Sequence, residues 1–381
     1  MVYNVAILGT GMSCFVFHAP LLSSLPEHFK LSTILARRPE SQEEVKQRLP
    51  GVKTVATLDE VCADASIDLV VISTPNELHF EQAKQCLNAG KHIVVEKPLT
   101  PTAVEADKLI SLAKSKGLLI AVYQNRRLDS DLLTLLKVIR EGRLGQVTDF
   151  ESHFDRFRLF RKSEKVWKEQ ARPGGGQVYD LGSHLIDQSL YLFGKPTSIT
   201  GQTYSRRQLP PLELEDAFTV TLEYGPSKAT GSSSAGLPLS RELPLTVVLK
   251  GSTTSLGPNM RYIVKGDRGE FRKAGVDPQE AQLIAGKTPA KDDDLGIEDD
   301  NIAAELWSIP VSCDITKPPA PQHEKIKSEK GRYLDFYRHL HDALEHKDAS
   351  RLLVQPEEAR EVIHLCDLAH QSAAAQKTIA L

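Results

Sequence analysis

No stretch of this chain holds the roughly 18 to 20 consecutive apolar residues that a membrane helix needs, so no membrane partner is expected. The opening MVYNVAILGTG is apolar, but it has neither a basic n-region nor a small-residue cleavage site and reads as a buried strand. Cysteine is scarce. Cys14, Cys62, Cys86, Cys313 and Cys366 are odd in number, scattered, and contain no CxxC pair. That spacing argues against a disulfide framework and a structural zinc site, and a reducing, cytoplasmic setting is the expectation. Neither sign of charge dominates: 47 Lys and Arg against 50 Asp and Glu give a net charge of -3. No global basic field invites nucleic acid, and short clusters such as Arg206-Arg207 fit solvated surface. No internal repeat is visible.

What is there is ordinary globular material, with 40% hydrophobic and 25% charged residues over 381 positions, a length that suits two or three domains. The first 125 residues alternate strand and helix. Apolar runs of strand length occupy 2–8, 31–36, 68–73, 91–96 and 118–123, with helical patterns over 77–89 and 101–116. Gly90 and Gly117 stand where a helix C-terminus favours a left-handed residue. Continuous apolar strands spaced by helices predict a parallel sheet covered on both faces. After residue 125 a helix is predicted over 129–141, strands over 146–157, 198–205, 217–224 and 243–250, and a helix over 177–193. Residues 286–329, rich in Pro, Lys and Asp, read as a long surface excursion. Amphipathic helices over 331–346 and 355–376 would close the second domain. The predicted division is a dinucleotide-binding domain, 1–125, and a substrate-binding and oligomerisation domain, 126–381.

The turn after the first strand reads GTGMSC: Gly9, Thr10, Gly11, Met12, Ser13, Cys14. Gly9 permits a tight turn, Gly11 lets backbone approach a pyrophosphate, and the next helix would offer free N–H groups to that anion. Cys14, a small residue, replaces the third glycine of the usual pattern. The second strand ends at Ala36, where an NAD enzyme usually carries an acidic residue for the ribose hydroxyls. Arg37 and Arg38 follow instead, and guanidinium groups fork well onto a 2′-phosphate. NADP is therefore the expected cofactor, with NAD as the alternative.

Glu96-Lys97-Pro98 sits at the C-terminal end of the fourth predicted strand, the edge where open α/β sheets bind ligands. A Lys there can stabilise charge developing on an alcohol or ketone oxygen. The segment GGGQVYDLGSHLIDQ, residues 174–188, places Asp180, His184 and Asp187 on one face if it is helical. A His flanked by carboxylates suits proton transfer near neutrality. No third ligand stands at useful spacing, so no metal is expected. Asn125 and Arg126, after the fifth strand, and Trp167, Arg172 and Tyr179 are the candidates for lining the substrate side. Packing or surface charge accounts equally well for Trp167 and Arg172.

Together these residues resemble the glucose–fructose oxidoreductase, inositol dehydrogenase and rhizopine catabolism (Gfo/Idh/MocA) family over nearly the whole chain. The opening GTGMSCFVFHAPLL, STPNELH at 73–79, EKPLT at 96–100, YQNRR at 123–127, GGGQVYDLGSHLIDQ and the later FYRHLHDAL carry the likeness. FVFHAPLL is most similar to a subgroup containing NADP-dependent scyllo-inositol dehydrogenases. The resemblance implies a Rossmann domain followed by an α/β domain with an open, mostly antiparallel sheet that commonly forms a homodimer or larger homo-oligomer. It implies Lys97, Asp180 and His184 as catalytic residues. It also implies cofactor contacts from Gly9, Thr10, Gly11, Met12, Ser73, Thr74, Pro75, Asn76, His79, Glu96 and Lys97. The expected activity is hydride transfer between a nicotinamide cofactor and a hydroxyl or carbonyl carbon of a sugar or polyol. Competing readings are a non-catalytic dinucleotide-binding sensor of sugar metabolism and a redox-assisted glycosidase.

Overall fold

The strands β1 (Tyr3–Leu8), β2 (Phe29–Leu35), β3 (Lys53–Val55), β4 (Leu69–Ile72), β5 (His92–Val95) and β6 (Ile120–Val122) are short, apolar and buried along most of their length. They pair in parallel as one sheet in the order β3-β2-β1-β4-β5-β6. This is the order reached by two βαβ halves that diverge from a central switch point between β1 and β4. The computed structural model describes residues 1–160, 174–210, 212–227, 237–310, 312–314, 316–317 and 319–381. Helices α1 (Ala19–Ser23), α2 (Pro39–Arg48), α3 (Leu58–Ala63), α4 (His79–Asn88) and α5 (Ala103–Lys116) connect the strands. Thr57 and Thr102 begin α3 and α5 with reciprocal capping boxes to Glu60 and Glu105, which satisfy N–H groups that the first helical turn leaves without partners. Gly117 closes α5 in the left-handed conformation.

The compact unit built on this sheet is discontinuous in sequence: it comprises 1–128, 278–296 and 332–363. The added segments carry α8 (Gln279–Ile284) and α9 (Leu334–His346). Leu283, Leu295, Tyr333, Phe336, Tyr337 and Leu340 join Val5, Ile7, Phe17 and Tyr123 in one buried apolar cluster.

The second unit, 129–277, 297–331 and 364–381, is built on a mixed, mostly antiparallel sheet. Its strands are β7 (Val147–Asp155), β8 (Ser198–Tyr204), β9 (Ala217–Tyr224), β10 (Leu245–Ser252), β11 (Met260–Gly266), β12 (Gly269–Ala274), β13 (Ala304–Ser308), β14 (Gln322–Ile326) and β15 (Ile379–Ala380). Among the described residues the order is β14-β13-β12-β11-β7-β10-β9-β8-β15, and the β7–β10 pair is parallel. Burial alternates along β7, β9, β10 and β13, so one sheet face is packed and the other is more open. The helices of this unit are α6 (Ser130–Arg140), α7 (Ser183–Phe193) and the later part of α10 (Pro356–Ala375), whose first turns belong to the first unit.

Three elements differ from the sequence-based expectation. The helices over 331–346 and 355–376, expected to close the second domain, place α9 and the first turns of α10 in the first unit instead. Part of the supposed excursion at 286–329 forms β13 and β14, with Trp307 stacked on His323 at 4.5 Å. Its earlier part packs Leu295 into the first unit's core. The pattern hides this because β14 is largely exposed and so lacks alternation. The hairpin β11–β12 is also hidden, by charges at core positions. Arg261 is fully buried against Asp131 at 3.0 Å, and Lys273 against Glu298 at 2.9 Å.

Where α10 crosses β8, Gly201 has no room for a side chain, since a methyl group there overlaps the carbonyl oxygen of Ala369. Gly201→Ala is therefore expected to destabilise the second unit by about 1 to 3 kcal/mol. A lowered midpoint in urea or thermal unfolding checks this, and an unchanged midpoint contradicts it.

Candidate active site

In the first unit three loops leave the same sheet edge. Leu8, Ile72 and Val95 align across the parallel strands β1, β4 and β5. The turn at Gly9, the Ser73–Asn76 loop and Glu96-Lys97 therefore start side by side. Gly9 has φ +102° and lies so close to Ser73 that an added Cβ would sit 3.2 Å from its carbonyl oxygen. Ser73 ties this neighbour down through hydrogen bonds from its N–H and hydroxyl to Leu8 O, at 3.1 and 2.9 Å. Gly11 is exposed with open space where its Cβ would be, and Thr10 and Met12 flank it at a surface turn. That bare, accessible backbone fits the approach of a dinucleotide pyrophosphate.

The chain after this turn is π-helical over Ser13–His18 before α1 begins. Such segments are rare and frequently accompany functional sites. At the end of β2, Arg37 and Arg38 are both exposed, and neither forms an ion pair among the described residues. Ala36, just before them, is buried.

Asn76 and His79 are buried. The His79 ring lies between the carbonyl oxygens of Pro98, 2.8 Å from Nδ1, and Thr74, 2.9 Å from Nε2. Burial lowers its pKa despite those carbonyls and the nearby Glu96 and Glu77. A neutral ring donates to one carbonyl at a time, so His79 joins the Thr74-Pro75 loop to the EKP loop. The Thr74 hydroxyl donates to Gln82 Oε1 at 2.6 Å. The Lys97-Pro98 peptide is cis, and the Lys97 N–H donates to Glu96 Oε2 at 3.2 Å. Burial acts to raise the pKa of Glu96, but His18, Ser13 and Lys97 outweigh it and hold the carboxyl below the usual range. Arg126 is buried, and its guanidinium pairs with Glu280 at 2.6 Å, so α8 holds it. Asn125 is buried beside it.

The second unit carries the Asp180–His184 segment. A π-helical turn over Val178–Gly182 leads into α7, so the two residues straddle a π-to-α junction, where the four-residue repeat of a regular α-helix does not hold. Gly176, at φ +88°, begins the segment against the Glu215 carboxylate, which would overlap any added Cβ and which accepts the Val178 N–H at 3.0 Å. His184 is buried, its ring nearly parallel to Phe154 at 6.5 Å. Asp187 is buried and Asp180 is half-buried. The Tyr179 hydroxyl donates to Asp367, and its ring stacks on His370 at 5.6 Å. Burial disfavours charge on His370, but its contact with Glu215 at 3.3 Å turns the balance and raises its pKa. Trp167 and Arg172 lie outside the described residues. Sequence reasoning missed His18, Phe154, Glu215, Tyr337, Asp367 and His370. HAP, at 18–20, was a visible signal for His18, and Tyr337 lies within FYRHLHDAL, whereas Phe154, Glu215, Asp367 and His370 stand in no motif. No group of three or more potential ligands among the described residues could hold a metal ion, and none of their helices is long and apolar enough to cross a membrane.

Residues 3–124 match the model of an oxidoreductase family described as an NAD-binding Rossmann fold, and 137–381 match that family's C-terminal α/β domain. An uncharacterized oxidoreductase of Schizosaccharomyces pombe is 46% identical over 379 residues, covering 99% of this chain and 98% of the relative. The scyllo-inositol 2-dehydrogenase (NADP(+)) IolW of Bacillus subtilis is 36% identical over 378 residues, 99% of this chain and 96% of that one. Among solved structures, the oxidoreductase yvaA of Bacillus subtilis superposes with a TM-score of 0.86 at 36% identity, covering 99% and 98% of the two chains. With both domain models matched in order and full-length relatives of this identity, the chain belongs to the Gfo/Idh/MocA family of oxidoreductases and carries its NAD-binding Rossmann domain.

Proposed function

We propose that the protein transfers a hydride between NADP and a hydroxyl or carbonyl carbon of a sugar or cyclic polyol. The observation that carries this reading is the common sheet edge on which the glycine turn, Ser73–Asn76 and Glu96-Lys97 begin. It supports reading Lys97 as a lysine close to a backbone cradle for a dinucleotide. The likeness to a scyllo-inositol 2-dehydrogenase supports the polyol class.

In this reading the cofactor, when bound, supplies the hydride acceptor. Gly9, Thr10, Gly11 and Met12 receive its pyrophosphate, and Ser73, Thr74, Pro75, Asn76, His79 and Glu96 shape the loops beside it. The Lys97 ammonium hydrogen-bonds the substrate oxygen and stabilises the alkoxide that develops there. His184 removes the hydroxyl proton, and Asp180 orients the imidazole. The reverse direction reduces a carbonyl with the same groups. Tyr179, Asn125, Arg126, Trp167 and Arg172 are proposed to shape the substrate side.

The activity test is a panel of polyols incubated with NADP while absorbance of the reduced cofactor is followed. A sensor or a redox-neutral glycosidase gives no net reduced cofactor, and that outcome removes this reading. Lys97→Ala and His184→Ala should each lower kcat by roughly 10² to 10⁴-fold. Dinucleotide affinity of His184→Ala should stay near that of the parent, because the glycine turn and Lys97 are untouched.

Cofactor choice is a separate expectation. Arg37 and Arg38 meet a 2′-phosphate with charge-assisted hydrogen bonds of about 1.5 to 3 kcal/mol each, which is roughly a 10- to 150-fold preference for NADP from one good contact. The double change Ala36→Asp with Arg37→Ala should move preference toward NAD, by adding a repulsion and removing an attraction. Side-by-side kcat/KM values with both cofactors decide this.

The more open face of the β7–β10 sheet is proposed to pair with a second copy. Sedimentation should show a dimer or larger species at micromolar concentration, and a stable monomer contradicts the pairing.

A further inference from the structure

Behind Lys97 lies a group of polar side chains that the proposed chemistry does not use. His18, at the end of the π-helical turn, is completely buried. Its Nδ1 lies 2.8 Å from the Tyr337 hydroxyl of α9, and its Nε2 lies 3.3 Å from Glu96 Oε1. The Tyr123 ring packs on the imidazole at 4.6 Å. Nε2 is a buried atom that makes no well-aligned hydrogen bond among the described residues, and the Glu96 carboxylate at 3.3 Å is the charged group it faces. An ionised carboxylate has no proton to give, so Nε2 carries the hydrogen toward Glu96, and in the neutral ring Nδ1 accepts from Tyr337. Burial holds the Tyr337 phenol well above its usual pKa, which keeps it a donor. The other Glu96 oxygen accepts the Lys97 N–H. Three separate chain segments thus meet at the His18 imidazole: the turn after β1 that bears it, the end of β5 through Glu96, and α9 through Tyr337.

We propose that Tyr337, His18 and Glu96 form a buried relay that keeps the Glu96 carboxylate ionised and fixed beside Lys97, with His18 as its positioning residue. The inference rests on the role of Lys97 proposed above. An ionised Glu96 gives the Lys97 ammonium a counter-charge and holds the Lys97 backbone, so the relay fixes where that ammonium sits. The groups facing Glu96 are His18 and Ser13 from the π-helical turn, Lys97 from its own strand end, His79 from α4 and Tyr337 from α9, with Cys14 beyond Tyr337. Burial is the largest influence on Glu96, and it favours the protonated form. Removing the His18 donor therefore lets burial prevail. The pKa of Glu96 rises, its carboxylate is lost at a higher pH than in the parent, and the acid limb of kcat moves upward.

The test uses the intact protein in two arms. The first is pH-difference infrared spectroscopy without substrate, which reads the protonated-carboxyl band that disappears in Glu96→Gln. The parent and His18→Gln, which keeps a side-chain N–H, should show no such band near neutral pH. His18→Phe should show one, titrating at least about one pH unit above the parent carboxyl. Tyr337→Phe, which removes only the hydroxyl polarising the imidazole, should shift it the same way by less, and it decides the matter if His18→Phe does not fold. The second arm is kinetic. His18→Phe should lower kcat about tenfold, raise the midpoint of its acid limb by about one unit and leave dinucleotide affinity within about twofold, while His18→Gln restores the parental profile. A folded His18→Phe protein with the parental band and pH profile overturns the proposal. Absence of polyol-dependent cofactor reduction in the parent overturns the reading of Lys97 instead, and the infrared arm still decides whether His18 controls Glu96.

Discussion

Parallel pairing of β1 with β4 and of β4 with β5 is the constraint on which the first half-site depends. Leu8, Ile72 and Val95 end on one line because these strands pair without a slip in register. Displacing one strand by a single residue would exchange its two buried faces, and strands buried on both sides resist that exchange through their packing. The edge is then locked by polar contacts between loops. Ser73 bonds back to Leu8, and His79 spans Thr74 and Pro98. Chemistry-bearing residues sit on loops, and the sheet beneath them supplies the rigidity.

Buried ion pairs recur in both units. Arg261 with Asp131 and Lys273 with Glu298 sit inside the second unit, and Glu96 with His18 sits inside the first. Burying such groups alone would be costly, and partnered burial fixes geometry more dependably than it adds stability. Around Glu215 the same device holds a backbone: one carboxylate accepts the Val178 N–H, contacts His370 and faces the bare Cα of Gly176. The π-helical turn that bears Asp180 is anchored by these contacts at its start.

The legible parts of the sequence were those with a strong local signal. Apolar runs placed β1, β2, β4, β5 and β6 to within two residues at each end, and the Gly9–Gly11 turn, EKP and the 174–188 segment were visible as motifs. The β11–β12 hairpin was not, because Arg261 and Lys273 occupy core positions that pattern reading reserves for apolar side chains. β14 was not, because an exposed edge strand has no alternation to read. The π-helical turn at Val178–Gly182 falls inside the stretch 177–193 read as one helix, since π and α turns share the same composition.

The sequence by itself determined the α/β class, the family, the dinucleotide turn and the residues that could carry proton transfer, because each is written in contiguous residues whose spacing follows from local geometry. Only the tertiary structure decided that α8 and α9 complete the unit built on the parallel sheet, that Arg126 is held by Glu280, and that His18 meets both Tyr337 and Glu96. Those partners are separated by 78 to 319 residues. Contacts of that range arise when a whole core closes around them, and no local pattern encodes them.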